Sequence, residues 1–233
     1  MSVITVSRQY GSGGRTVGYN VAKALGYQYM DKELIVRVAL EAGVPVSEVE
    51  CFDEQPEHPI MRALRKFLAP PHPGVVSDMG GEVWGGPVAF PVLSKEEASE
   101  LSILDEDAYV QMTQRIVLRL ANDGSVVIMG RGSQAYLAGR SDSLHVRVVA
   151  PRDARIKTVM EEDEVTKTEA QKKIRRMDEQ RVRYIKRHYG INWDSADHYH
   201  LVVNADQTGV GPASDVVVEA ARQVLLHKGA ESS

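Results

Sequence analysis

Val3, Ile4, Thr5 and Val6 form a short apolar, β-branched run; Gly11, Ser12, Gly13 and Gly14 follow it, and Val17, Val21, Ala24 and Leu25 then recur at helical spacing. A continuous run giving way to a 3.6-residue period across glycines predicts a strand, a glycine loop and a helix. Leu34, Ile35, Val38, Ala39 and Ala42 make one apolar stripe that stops at Gly43, which predicts a second helix over residues 32–42. Further on, Tyr109, Met112, Ile116 and Leu120 share a helical face, Asn122, Asp123 and Gly124 turn the chain, and Val126, Val127, Ile128 and Met129 read as a buried strand. Another strand fits residues 144–149, helices begin near Pro151 and Thr166, a last strand lies near 201–203, and a closing helix covers 215–226. Unbroken apolar strands between amphipathic helices predict an α/β fold whose parallel sheet is covered on both faces.

One stretch breaks the pattern. Residues 68–93 hold Pro70, Pro71, Pro73, Gly74, Gly80, Gly81, Gly85, Gly86, Pro87 and Pro91, and no period in them defines a helix or a core strand. It reads as the centre of an insertion at about residues 52–103, within one domain spanning 1–233. Trp84 and Phe90 give the insertion aromatic anchors for a partner subunit, as in a homodimer, or for substrate. A loop with incidental aromatics is the alternative.

Composition narrows the setting. The 233 residues are 43% hydrophobic and 26% charged, enough to bury a full core. Cys51 is the only cysteine, which excludes an intramolecular disulfide and a multi-thiolate zinc site and points to a reducing compartment. The N-terminus enters a strand at once, and no apolar run reaches membrane-spanning length, so the expectation is a cytoplasmic protein with no membrane partner. The net charge of −4 argues against general nucleic-acid binding, yet residues 171–188 carry eight Lys/Arg against two acids. That local +6 is either a solvated helix face or a surface that closes over an anion.

The glycine loop is the natural place for such an anion. Free N–H groups at a helix N-terminus point at phosphate, and glycine lets the backbone come close. The dinucleotide fingerprint GxGxxG fails because Thr16 stands where its third glycine belongs, so a nicotinamide cofactor is disfavoured. The Walker pattern GxxxxGK[ST] is half met: Arg8 replaces the first glycine, Gly13 is in place, and Gly14 and Arg15 replace Lys and Ser/Thr.

With these residues in view, the segment ITVSRQYGSGGRTVGYNVAKALGYQYMDKELI resembles the N-terminal segment of the cytidylate kinase-like family, whose members carry this GSGGR loop. Asp31 and Arg37 stand at the spacing of the family's DxxxxxR element, VVIMGRGSQAYL resembles its GRD segment with Gly132 for the Asp, and LHVRVVAPRDARIKTVM its strand and helix before the lid. Asp178 and Arg181 fit the DxxR of the lid, and YHLVVNAD its closing strand. The resemblance covers residues 2–40 and 126–218.

The resemblance implies a P-loop NTPase three-layer sandwich of the nucleoside monophosphate kinase kind, with a helical lid over residues 152–188. It implies ATP and Mg²⁺ bound through Gly11, Ser12, Gly13, Gly14, Arg15 and Thr16, and an acceptor nucleotide held by Asp31, Arg37 and Arg131. Arg15 would supply the Walker charge and Thr16 the Mg²⁺ hydroxyl. Arg181, with Asp178, would act on the transferring phosphoryl group.

The residues support one of these roles independently. Ile174, Met177, Tyr184 and Ile185 mark one helical face, and Arg181 falls inside it between Met177 and Tyr184. An arginine there needs an anion, either phosphate or, as an internal salt bridge, Asp178. The alternative for Asp31 is an N-cap of the helix at Lys32, compatible with ligand contact; Arg37 lies off the apolar stripe, with solvation as its alternative, and Ser7 fits a turn at the end of the first strand. Tyr189 and Trp193 fit packing residues at the end of the lid helix. His198 with His200, and His188 with Asp194, lack a compact ligand set, so no structural metal is expected. Two rival readings stand beside the kinase: a nucleotide sensor that has lost transfer with the Walker Lys, and an interaction module built on the insertion and the basic helix.

Overall fold

The structure, a computed structural model, describes residues 2–31 and 106–231. The predicted helix over 32–42, Arg37, Cys51 and the insertion with Trp84 and Phe90 lie outside the described residues. In chain order the elements are β1 (Val3–Arg8), α1 (Gly14–Leu25), β2 (Gln28–Met30), α2 (Glu106–Asp123), β3 (Val126–Met129), α3 (Ser133–Tyr136) and β4 (Ser143–Val149). They continue with α4 (Arg152–Asp163), α5 (Lys167–Tyr189), a 3₁₀ turn (Ala196–His198), β5 (Leu201–Asn204), α6 (Ala205–Thr208) and α7 (Val210–Glu231).

The five strands among the described residues form one parallel sheet in the order β2-β3-β1-β4-β5. With Val3 level with Val126 and Ser143, Ile4 stands level with Val127 and Leu144 and shares their face. One face carries Ile4, Val6, Val127, Met129, Leu144, Val146 and Val148, and packs on Val17 and Val21 of α1 and Ala213 and Val217 of α7. Gly18 lets α1 lie close, since a Cβ there would sit 2.5 Å from Met129 Sδ. The other face packs Val3, Met30, Val126 and Ile128 against Tyr109, Ile116, Val117 and Leu120 of α2.

That second face departs from the expectation of apolar strands throughout. On β1 and β4 it carries Thr5, Ser7, Ser143, His145 and Arg147, all buried. The segment after α5 supplies partners for Ser7 and Arg147, while Thr5 and Ser143 bond to His145 within the row, which makes it tolerable inside. Trp193 Nε1 donates to Ser7 Oγ at 2.7 Å, and Arg147 donates to the Trp193 carbonyl with its guanidinium 4.3 Å from the Trp193 ring centroid. Trp193 therefore packs as its sequence position predicts and also ties the root of α5 to the sheet. Ser7 is an interior strand residue.

His145 lies between Thr5 Oγ1, 2.8 Å from Nδ1, and Ser143 Oγ, 3.2 Å from Nε2, with its ring stacked 4.8 Å from that of His200. Burial, and then the neighbouring His200, push it from an ordinary 6.5 down to about 4. The folded protein thus holds it neutral while the unfolded chain protonates it, so stability falls as pH drops from 6.5 towards 4. By pH 5 the loss from this residue is about 2 kcal/mol. Urea unfolding at pH 7 and 5 should show His145→Gln losing that much less than the parent; equal losses would remove His145 as the cause.

Helices α4 and α5 form a hairpin around Ile156, Val159, Ala170 and Ile174. Thr166 and Glu169 cap α5 reciprocally, and Gly190 ends it in the left-handed conformation, so its limits follow from residues that stop a helix at each end. Among the described residues no helix is long and apolar enough to cross a membrane.

Candidate functional site at the strand ends

The chain leaves β1 for β2 on one side and β3 for β4 on the other, so the order reverses beside β1. Ligands of open parallel sheets bind in the crevice that such a reversal opens at the carboxyl ends of the strands. Two turns meet there. The first, from Gln9 to Gly13, is pinned to β4 by Gln9 N–H donating to the Val148 carbonyl at 3.1 Å and Ala150 N–H donating to Gln9 Oε1 at 3.1 Å. Its Ser12 Oγ donates to the Gln9 carbonyl at 2.8 Å, and Gly13, with φ of 75°, caps α1 without a side chain. The first N–H groups of α1 consequently open onto this loop.

The second turn places three successive residues in the left-handed region, Gly130 at φ 69°, Arg131 at 60° and Gly132 at 70°. It sends Arg131 inward, where Nη1 donates to Tyr109 Oη at 3.0 Å. Tyr189 closes the turn by donating to the Arg131 carbonyl at 3.2 Å. A Cβ on Gly132 would lie 2.1 Å from Tyr189 Cε2. The glycine in place of the Asp of a GRD segment therefore has a local cause, since no side chain fits beside that ring. Gly132→Ala should lower stability by about 2–4 kcal/mol, combining left-handed strain with overpacking. Gly26→Ala, also at positive φ but with nothing within 4 Å, should lose only about 1 kcal/mol. Equal melting temperatures of the two variants would contradict this account.

Four cationic side chains converge between the turns. Asp31, buried just past β2, accepts from Arg8 Nη2 at 3.3 Å and from Arg15 Nε at 2.8 Å. Burial alone would push its carboxyl up; the guanidiniums of Arg8, Arg15 and Arg131 outweigh it and hold the group below its usual value. Arg181 is 3% exposed, as its place inside the α5 stripe predicts. It donates to the Arg8 carbonyl at 2.9 Å and stands 3.6 Å from Asp178 Oδ1, so the internal salt bridge is present together with a contact to the loop. Asp178 also accepts the Tyr10 backbone N–H at 2.9 Å and pairs with Arg155, whose guanidinium reaches the Tyr10 carbonyl at 3.2 Å. The α4–α5 hairpin is thereby seated on the glycine loop.

Arg8, Arg131 and Arg181 line a cavity of about 10 Å³ together with Ser7, Gly130 and Gln134. That is room for about one water and too little for a phosphate group. Gln134 is 2% exposed, and its Nε2 has no hydrogen-bond partner. A buried amide donor beside three guanidiniums suits an anionic or carbonyl oxygen.

Of the residues picked from sequence, Asp31, Arg131, Asp178 and Arg181 are brought together, with Gly11 to Gly14 beside them. Arg15 reaches Asp31 from the first turn of α1 with its side chain 43% exposed, and Thr16 is exposed next to it. Arg8, Gln134 and Arg155 are not marked as site residues by the sequence. Arg8 registers in the sequence only as an absent glycine, and Gln134 and Arg155 carry no pattern that separates them from other polar helix residues.

The fold is shared with a solved protein described as an uncharacterized protein from Eubacterium ventriosum, at 16% identity and a TM-score of 0.64, covering 95% of this chain and 99% of its own. TT1252 from Thermus thermophilus is similar at 15% identity and a TM-score of 0.48, covering 95% and 96%. No curated protein matches the chain. The model of the cytidylate kinase-like family matches residues 3–207, so the chain belongs to that family, which points to a nucleotide kinase-type function.

Proposed function

We propose that the protein transfers the γ-phosphoryl group of ATP to a nucleoside monophosphate. The observation that carries this reading is the meeting of Arg131, from the turn after β3, and Arg181, from α5, in one cavity next to the glycine loop. Phosphoryl transfer needs little covalent chemistry from a protein; it needs the two substrates held in line and charge placed where the transition state spreads it. The glycine loop and the start of α1 would take the donor phosphates, and Asp31 and Arg131, with Arg37, the acceptor. Arg181 would meet the transferring group as α5 closes, and closure would keep out water that hydrolyses ATP. Mg²⁺ would arrive with the nucleotide, held by phosphate oxygens and the Thr16 hydroxyl, a hard oxygen set that suits the ion, and would offset phosphate charge.

Which base the acceptor carries is a separate matter. Gly132 offers no side chain where the GRD segment has a carboxylate, so CMP has no special claim. A coupled assay of ADP release from Mg-ATP against ribo- and deoxyribonucleoside monophosphates tests the reading. Acceptor-dependent turnover supports it and names the substrate; ATP binding without turnover on any acceptor supports the sensor instead.

A further inference from the structure

The Walker pattern puts glycine at the strand end and lysine six residues later, and this chain puts Arg8 and Gly14 there. The two positions face each other. A Cβ built on Gly14 falls 2.4 Å from Arg8 Cβ, 3.1 Å from Arg8 Cγ and 3.1 Å from Val148 Cβ. Only one of the two residues can carry a stem. In the usual pattern the glycine stands on the strand side and the lysine on the helix side. Here glycine opens the helix, and the stem filling the space rises from the strand.

We propose that Arg8 is the phosphate-binding cation of this loop, the Walker lysine's charge delivered from the opposite wall. Its guanidinium crosses from the glycine loop to the turn after β3, where Nη1 would lie 2.6 Å from a Cβ on Gly130. There it lines the cavity shared with Arg131 and Arg181. It sits between the donor loop and the acceptor arginines, and a planar fork can hold two phosphate oxygens at once. Arg15, the substitute favoured by sequence position, has its side chain 43% exposed against 11% for Arg8 and does not line the cavity. The exchange explains two departures from the Walker pattern as one event: Gly14 is required because Arg8 is there. The inference rests on the ATP reading above.

The test is to swap the pair back. Mg-ATP affinity, turnover and melting temperature are measured for the parent, Arg8→Gly, Gly14→Lys and the double variant Arg8→Gly/Gly14→Lys. Arg8→Gly should weaken ATP about ten- to a hundredfold, the size of a lost charge-assisted contact. Gly14→Lys alone should melt well below the parent because two stems claim one space. The double variant should melt above Gly14→Lys and bind ATP more tightly than Arg8→Gly. Arg8→Met keeps a stem against Gly14 and removes the charge, so it reads the affinity term even if the double variant does not fold. Parental ATP affinity in Arg8→Met, or a folded double variant no better than Arg8→Gly, overturns the proposal while leaving the kinase reading intact. A parent that binds no Mg-ATP overturns both.

Discussion

Arg181→Ala is expected to lower acceptor-dependent turnover by about 10²–10³-fold while changing the KM for ATP little, because an arginine on the transferring phosphoryl group acts mainly in the transition state. Arg181 is 3% exposed and bonded to the Arg8 carbonyl, so truncation also opens a small cavity and takes a donor from a backbone acceptor. A stability loss of about 1–3 kcal/mol should accompany the kinetic one. Melting curves separate the two, since a variant folded at the assay temperature still shows the full loss in kcat. Arg181→Lys keeps a charge without the planar fork and should recover only part of the rate. If Arg181→Ala turns over within about threefold of the parent, the residue is a structural ion-pair partner of Asp178 and no more, and the charge at the transfer point must come from elsewhere.

Where the sequence was readable, short-range signals did the work. The apolar run of β1, the glycines after it and the 3.6-residue spacing of α1 are set within 25 residues, and the Thr166–Glu169 box marks the start of α5 directly. β2 is not legible in the sequence because three residues, graded from exposed to buried, carry no period. α7 begins at Val210 and not near Asp215, since Gly211 and Pro212 read as breakers; in a first turn proline costs no helical hydrogen bond. The buried polarity of Ser7 on β1 is not legible locally because its partners, Trp193 and Tyr199, lie far along the chain.

The same distinction governs the site. Family likeness marks Arg131 and Arg181, and the helical stripe marks Arg181 as well. Their meeting with Arg8 and Gln134 is a product of the sheet order, which lies outside any local pattern. Arg8 is hidden from a motif search for a further reason. A motif is matched position by position, whereas a steric exchange between positions 8 and 14 preserves the space and the charge while failing the match at both.

Asp31 carries the second large effect. Asp31→Asn keeps the shape but leaves Arg8 without its carboxylate in a place where both side chains are about nine-tenths buried, at 11% and 8% exposure. Removing one partner of a buried pair costs about 3–5 kcal/mol, and the lower end applies because Arg15 can turn to water. Its folded-state carboxyl lies below the usual 3.8, so the contribution is complete above that value and is lost as pH falls through the lower folded one. The gap between parent and variant should therefore be constant at neutral pH and shrink only in strong acid. Added inorganic phosphate should raise the melting temperature of Asp31→Asn more than that of the parent, because an anion bound to the native state restores what the arginines have lost. Equal phosphate shifts in the two proteins would mean that Asp31 does not compete with phosphate for these cations. A larger shift in the variant would make Asp31 an internal counter-ion that the substrate's phosphate must displace, so the arginines are kept stable before ligand arrives.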